Sequence, residues 1–238
     1  MRRKRQEGRC AVLVIKNGGA RRFIRYFVPF AAFPALAAIA VAAGGRAYVA
    51  CASVCAALAV LVFISGFEQK RIGSRRLILI SVFVALSVVG RFLPLFKPVT
   101  ALTMLAGIYL GRESGFASGA FSALISDFYF GFGPWTPFQM LAWGIIGYFA
   151  GVAGDRLRRS VPLQVIYGVA AGIVFSVIMD TWATLDFTGG FSIDDYLGAL
   201  VSSLSFTAIY AASNAAFILI LSKPFGEKLT RIKIKYGV

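Results

Sequence analysis

A few polar side chains set inside apolar runs carry whatever chemistry this chain has. Arg91, Lys97, Asp127 and Asp180 fall toward the same ends of their runs, and Asn214 lies deeper in the last one. Polar groups in hydrocarbon are costly, so they face a bundle interior or a cavity. For Arg91 and Lys97 two readings stand: snorkelling to lipid headgroups or contact with a ligand. Asp127 and Asp180 read either as structural partners of those cations or as ligand-facing groups, and the two roles are compatible. Asp180-Thr181-Trp182 joins an acid, a hydroxyl and an indole in one turn.

The densest stretch runs from Phe128 to Met140. Gly131, Gly133 and Pro134 favour a tight turn, and Pro137 suits the first turn of a following helix. Gln139 and Trp143 are four apart, hence on one helical face; Trp135 and Trp143 bracket that turn and a half. An interfacial aromatic belt explains the indoles and Tyr129. A pocket for a flat or amphipathic organic molecule also explains Gln139 and the glycine and proline density, through aromatic walls, one orienting amide and close backbone approach.

Other chemistries fit poorly. The chain has no histidine and three cysteines, Cys10, Cys51 and Cys55, so a catalytic zinc site is not expected. Cys51 and Cys55 share a helical face and read as small packing residues. No GxxxxGK[ST] occurs, so no ATP site of that type is present. There is no nucleophile motif and no convincing carboxylate pair. The expectation is a non-enzyme with neither cofactor nor metal.

These residues sit in a membrane framework. The chain has 238 residues and is 58% hydrophobic, against roughly 45–50% for soluble domains. Eight apolar runs are expected to span a bilayer, at about 27–44, 47–66, 76–93, 98–111, 114–131, 136–153, 161–184 and 196–221. The fourth is short for a core of about 30 Å, so neighbours must shield it or the bilayer must thin there. The net charge of +15 suits topology and anionic headgroups better than a nucleic-acid stripe, because the basic blocks are interrupted by apolar runs. With these spans, 22 of the 25 Lys and Arg fall on one side: nine before the first run, four at 67–77, Arg112, three at 155–159 and five in a tail from Lys223. Positive charge collects on the cytoplasmic side, which puts both termini there in a multi-pass cell-membrane protein. The first two runs form a hairpin turning at Gly44-Gly45-Arg46, and a module boundary falls near Glu68–Arg76, giving 1–66 and 67–238. Phe187 to Phe191 reads as an ordinary loop or a mobile flap.

Small residues recur at helical spacing: Ser81 and Ala85; Gly115, Gly119 and Ala123; Gly147 and Gly151; Gly168 and Gly172. Such rows let helices approach closely in lipid. Most are expected to pack internally, with one open to a partner protein.

Residues 76–222 resemble the substrate-binding S component of energy-coupling factor (ECF) vitamin transporters. The resemblance is carried by Val88-Val89-Gly90-Arg91, Phe96-Lys97-Pro98-Val99-Thr100, Gly107 to Gly111, Gly115 to Asp127, and Phe130 to Gln139 followed by Ala142-Trp143-Gly144. It implies an all-α membrane protein, a six-helix S-component-like bundle preceded by an added transmembrane hairpin. It also implies a micronutrient bound at the outer side, a transmembrane coupling protein with two ATPases as partners, and toppling in the membrane to release the cargo. Docking in that family uses an Ala-x-x-x-Ala pattern on the first helix, for which Ser81 and Ala85 offer a looser version. The Trp-Thr-Pro-Phe-Gln segment leans toward cobalamin or a corrinoid precursor, with riboflavin the main rival. The substrate-binding set expected is Arg91, Lys97, Asp127, Trp135, Gln139, Trp143, Asp180 and Trp182. A self-sufficient ion-coupled transporter, with Asp127 and Asp180 as cation sites, is the competing function.

Overall fold

The computed structural model describes residues 17–43, 47–65, 73–188 and 192–236. Every regular element among them is helical: α1 (Gly18–Phe27), a π-helical turn (Val28–Ala32), α2 (Phe33–Ala42), α3 (Ala47–Ser65), α4 (Gly73–Gly90), α5 (Val99–Leu110), α6 (Arg112–Phe130), α7 (Trp135–Val152), α8 (Gly154–Leu157), α9 (Val161–Thr188) and α10 (Ile193–Tyr236). Four stretches are long and apolar enough to cross a membrane: Gly18–Ala42, Ala47–Ser65, Val161–Phe187 and Ile193–Ile232. Arg76–Gly90 and Val99–Leu110 are apolar but shorter. The expected turn at Gly44–Arg46 and most of the expected module boundary lie outside the described residues.

From α1 to α2 the chain stays helical through a wide π turn. Pro29 lies at the start of that turn and Pro34 at the start of α2. Each lacks an N–H, which loosens the regular ladder without ending the helix. The hairpin packs on the bundle through small residues: Ala52, Cys55 and Ala59 are fully buried in one core with Phe33, Phe116, Ala120 and Ala123. Cys51 and Cys55 are free thiols and packing residues, as their spacing suggested.

The centre is the α5–α6–α7 slab. α5 has 12 residues and all but Tyr109 are buried, so its neighbours supply the shielding its length required. The glycine rows explain how the helices come so close. A Cβ on Gly115 would run into the carbonyl of Gly147, one on Gly147 into the carbonyl of Gly115, and one on Gly107 again into Gly147. Gly119 faces the backbone of Trp143 and Gly144 in the same way. Gly168 and Gly172 admit Ile218 and the Ala211 backbone of α10. All three glycine rows are therefore internal packing.

Two expectations at helix ends change. The connection between α5 and α6 is a single residue, Gly111, at φ +97°, and Arg112 already belongs to α6. The tail expected from Lys223 is instead a continuation of α10, which runs for 44 residues with Pro224 inside it. Proline costs that helix one hydrogen bond, but the residues beyond find a core. Phe225 meets Phe83 at 5.7 Å, and Leu229 is buried in a cluster with Ile80, Phe83 and Val84.

Candidate functional site

At the Gly131 end of the bundle, α5, α7, α9, α10 and the connection after α4 surround a cavity of about 210 Å³. Arg91, Lys97, Gln139, Trp143 and Asp180 all line it. Arg91 and Lys97 arrive on the connection after α4, where Leu95 adopts φ 62° and the ring of Pro98 packs into the space above Gly90. A non-glycine residue at positive φ is uncommon; here it folds the connection back. Ser213 on α10 donates to the Lys97 carbonyl at 3.1 Å, tying it down. Burial, with the charge of Arg91 as the second cause, pushes the Lys97 ammonium below the usual lysine range.

Arg91 has protein partners as well as cavity exposure. Its Nη1 lies 2.6 Å from Asp127 Oδ1 and also donates to Ser126 Oγ. Its guanidinium lies over Phe130 at 5.0 Å and Trp143 at 5.3 Å. Asp127 is fully buried and accepts from Thr136 Oγ1 at 2.7 Å. Thr136 in turn accepts from the Gly133 N–H at 3.3 Å. The glycine-proline turn thus places a threonine against the carboxylate. Removing one member of such a buried pair leaves an uncompensated charge.

Trp143 donates through Nε1 to Thr100 Oγ1 at 3.2 Å and stacks on Phe175 at 4.9 Å. Tyr210 meets Phe175 edge-on at 5.3 Å. Asp180 Oδ2 accepts from Ser203 Oγ at 2.7 Å, linking α9 to α10. Asn214 lines the cavity but spends its amide N–H on the Gly168 carbonyl at 2.9 Å. Gln139 differs from all of these, because its Oε1 is buried with no hydrogen-bond partner. An unsatisfied buried acceptor is uncommon and calls for an explanation.

The aromatic stretch divides between the two readings given for it. Phe128 and Tyr129 are 76% and 71% exposed, the behaviour of an interfacial belt, whereas Gln139 and Trp143 turn into the cavity. Asp127, Trp135 and Trp182 do not line it. Asp127 sits behind Arg91, and Trp135 and Trp182 pair edge-to-face at 5.7 Å. Of the expected flap, residues 189–191 lie outside the described residues.

Phe175, Met179, Ser203 and Tyr210 line the cavity and were not singled out from the sequence. Their signal was available as spacing. Ser203, Tyr210 and Asn214 repeat at seven and four residues along one face of α10, and Phe175, Ser176, Met179 and Asp180 share one face of α9.

Ser81 and Ala85 lie far along α4 from this cavity. Both are exposed and line an apolar groove with Val84, Val88, Ala117 and Phe121. The Ser81 hydroxyl donates to the Leu77 carbonyl at 3.0 Å, so the groove floor is effectively apolar.

Among the described residues no cluster of three His, Cys, Asp or Glu side chains stands ready for a metal ion. No curated protein and no solved structure matches the chain. A sequence model of one family, the ECF-type riboflavin transporter, S component, matches residues 71–231. That range takes in all of α4 to α9 and most of α10, and leaves out the N-terminal hairpin. The chain therefore belongs to the ECF-type riboflavin transporter S component family.

Proposed function

We propose that this chain captures riboflavin, or a flavin-like vitamin, in the Gly131-end cavity and delivers it through a separate coupling protein driven by two ATPases. As an ECF S component it is a transport subunit for a vitamin and not an enzyme. The observation that carries the choice of site is the buried, unpartnered Gln139 Oε1 on the cavity wall. That acceptor matches a ring imide N–H, a donor that flavins possess. Arg91 and Lys97 supply donors for ring carbonyls, and Asp180 with Ser203 supplies acceptors for a polyol chain. Phe175, Trp143 and Tyr210 give the apolar wall for the ring system.

The corrinoid expectation does not find support. The matched family is named for riboflavin, and a cavity of about 210 Å³ lies below the usual range of roughly 300–1,000 Å³ for ligand sites, so that it must widen for a flavin and by far more for a corrin ring with its side chains. Both termini are proposed to be cytoplasmic, with the Gly131 end outward, because 22 of the 25 basic residues fall on the opposite side. The Ser81–Ala85 groove is the proposed seat for the coupling protein.

The test is purification in mild detergent without added ligand, mass spectrometry of what co-purifies, and titration by flavin fluorescence. Nanomolar binding is expected, roughly −12 kcal/mol. Gln139→Ala and Asp180→Ala are each expected to weaken it about 10- to 100-fold, the range for losing a buried hydrogen-bond partner, with unchanged melting for Gln139→Ala, whose Oε1 has no hydrogen-bond partner to lose, and a lowered melting temperature for Asp180→Ala, which also cuts the link to Ser203. Unaltered affinity in both variants would remove the site, and absence of any flavin binding would remove the substrate.

A further inference from the structure

At the opposite, Gly111 end the hairpin and the bundle enclose a second, very different cleft. Its volume is about 550 Å³, and Gly18, Arg21, Arg22, Arg25, Tyr26 and Arg112 line it. Among the described residues, one carboxylate serves this cluster. Glu113 is buried and takes Arg25 at 2.7 Å and Arg112 at 3.1 Å. Arg21 and Arg25 also donate to the Ser65 carbonyl at 3.1 and 2.9 Å, which pins α1 to the end of α3. Arg22 is exposed and has no partner among the described residues. Four guanidiniums against one carboxylate leave a cleft with a net charge of about +3 by formal counting of its ionised groups.

The surroundings say what kind of anion belongs there. Arg21, Arg22 and Arg25 fall on one side of α1, while Phe23 and Phe27 fall on the other, 60% and 46% exposed and stacked at 4.6 Å. Arginine on one face and exposed phenylalanine on the other is the pattern of a helix lying at a membrane interface. The helix α1 is itself the first part of the Gly18–Ala42 stretch, which continues through the π turn into α2 and is long and apolar enough to span the bilayer. The guanidinium fork suits phosphate oxygens better than a point charge does. Basic pockets between helices at membrane depth are suited to anionic headgroups.

We propose that this cleft binds a phosphate group, carried by an anionic phospholipid whose chains lie along the exposed phenylalanines of α1. The lipid then joins the N-terminal hairpin to α6 and occupies the charge that Glu113 leaves over. The site rests on residues 18–26 and 112 and does not depend on the vitamin reading.

The full chain, purified in mild detergent, is mixed with equal amounts of phosphatidylglycerol and phosphatidylcholine and examined by native mass spectrometry. One phosphatidylglycerol is expected to be retained in clear preference to phosphatidylcholine. Arg22→Gln should cut that preference about fivefold, and Arg22→Gln with Arg112→Gln about 25-fold, at about fivefold per basic residue near an anionic surface. Monodisperse elution and an unchanged melting temperature for Arg22→Gln, whose side chain has no partner among the described residues, keep the comparison interpretable. Millimolar inorganic phosphate that displaces the lipid and raises the melting temperature by itself would support the site with a soluble phosphate compound as its source. Equal retention of the two lipids by the wild-type chain would overturn the proposal, as would a preference that Arg22→Gln leaves untouched.

Discussion

The two walls of the Gly131-end cavity are built differently. On one side stands the α5–α6–α7 slab, where glycine carbonyls meet glycine backbones and nearly every residue of α5 is buried. On the other stands the α9–α10 pair, whose outward faces expose Ile166, Leu197, Val201 and Leu204 and whose cavity contacts come from single side chains. The slab is held by backbone approach, which has no tolerance for added atoms. The pair is held by side-chain contacts and by the Asp180–Ser203 link. Gln139 and Trp143 thus sit on an inflexible frame, while Phe175, Asp180 and Tyr210 sit on a more replaceable one.

The sharpest way to break this contrast is Gly147→Leu. Its side chain would be driven into the Gly115 carbonyl, and a destabilisation beyond about 4–5 kcal/mol, the exceptional end for one substitution, is expected. Folded protein in detergent with a normal melting temperature would show that the slab yields after all. Asp127→Asn comes next, at about 3–5 kcal/mol, because it strands Arg91 in a buried setting. It should lower the melting temperature before any effect on binding is measured. Phe175→Ala on the other wall should remove most flavin binding while costing the fold about 3 kcal/mol at most, near the lower end for a large-to-small change, since the exposed side of α9 lets the helix settle. A loss of stability larger than that of Asp127→Asn would erase the difference between the walls. The smallest effect is Gly198→Ala on α10, where a Cβ meets nothing within 4 Å. A gain of up to about 1 kcal/mol from helix propensity is expected.

Much of the candidate site could be read from sequence because polar groups are rare in an apolar chain. Arg91, Lys97, Gln139, Trp143 and Asp180 stood out for that reason, and the structure places all five around one cavity. Asp127 stood out equally, but type alone does not separate a cavity-lining residue from the residue behind it. That distinction came from the glycine-proline turn bringing Thr136 round to the carboxylate. Phe175 and Tyr210 were hard to see for the opposite reason. Interior and lipid-facing surfaces of a membrane helix are both apolar, so hydropathy does not reveal which face of α9 or α10 points inward. The glycine rows were legible as packing because close approach needs them. The reach of α10 past Pro224 was not, since it depends on Phe83 and Ile80 of a distant helix. The family match covers residues 71–231, which leaves the hairpin to be understood from its own contacts.

The brevity of α5 sets a depth. Its 12 residues rise about 18 Å at 1.5 Å each, against a hydrocarbon thickness of about 30 Å. Thr100, which anchors the indole of Trp143, stands near its first turn. On the proposed function and orientation, with the shortfall of about 12 Å shared between the two ends of the helix, a vitamin held there lies roughly a quarter of the way into the hydrocarbon. On that reading the helix works as a stilt of fixed height, and its length sets how much of the crossing is left for the ATPases to drive.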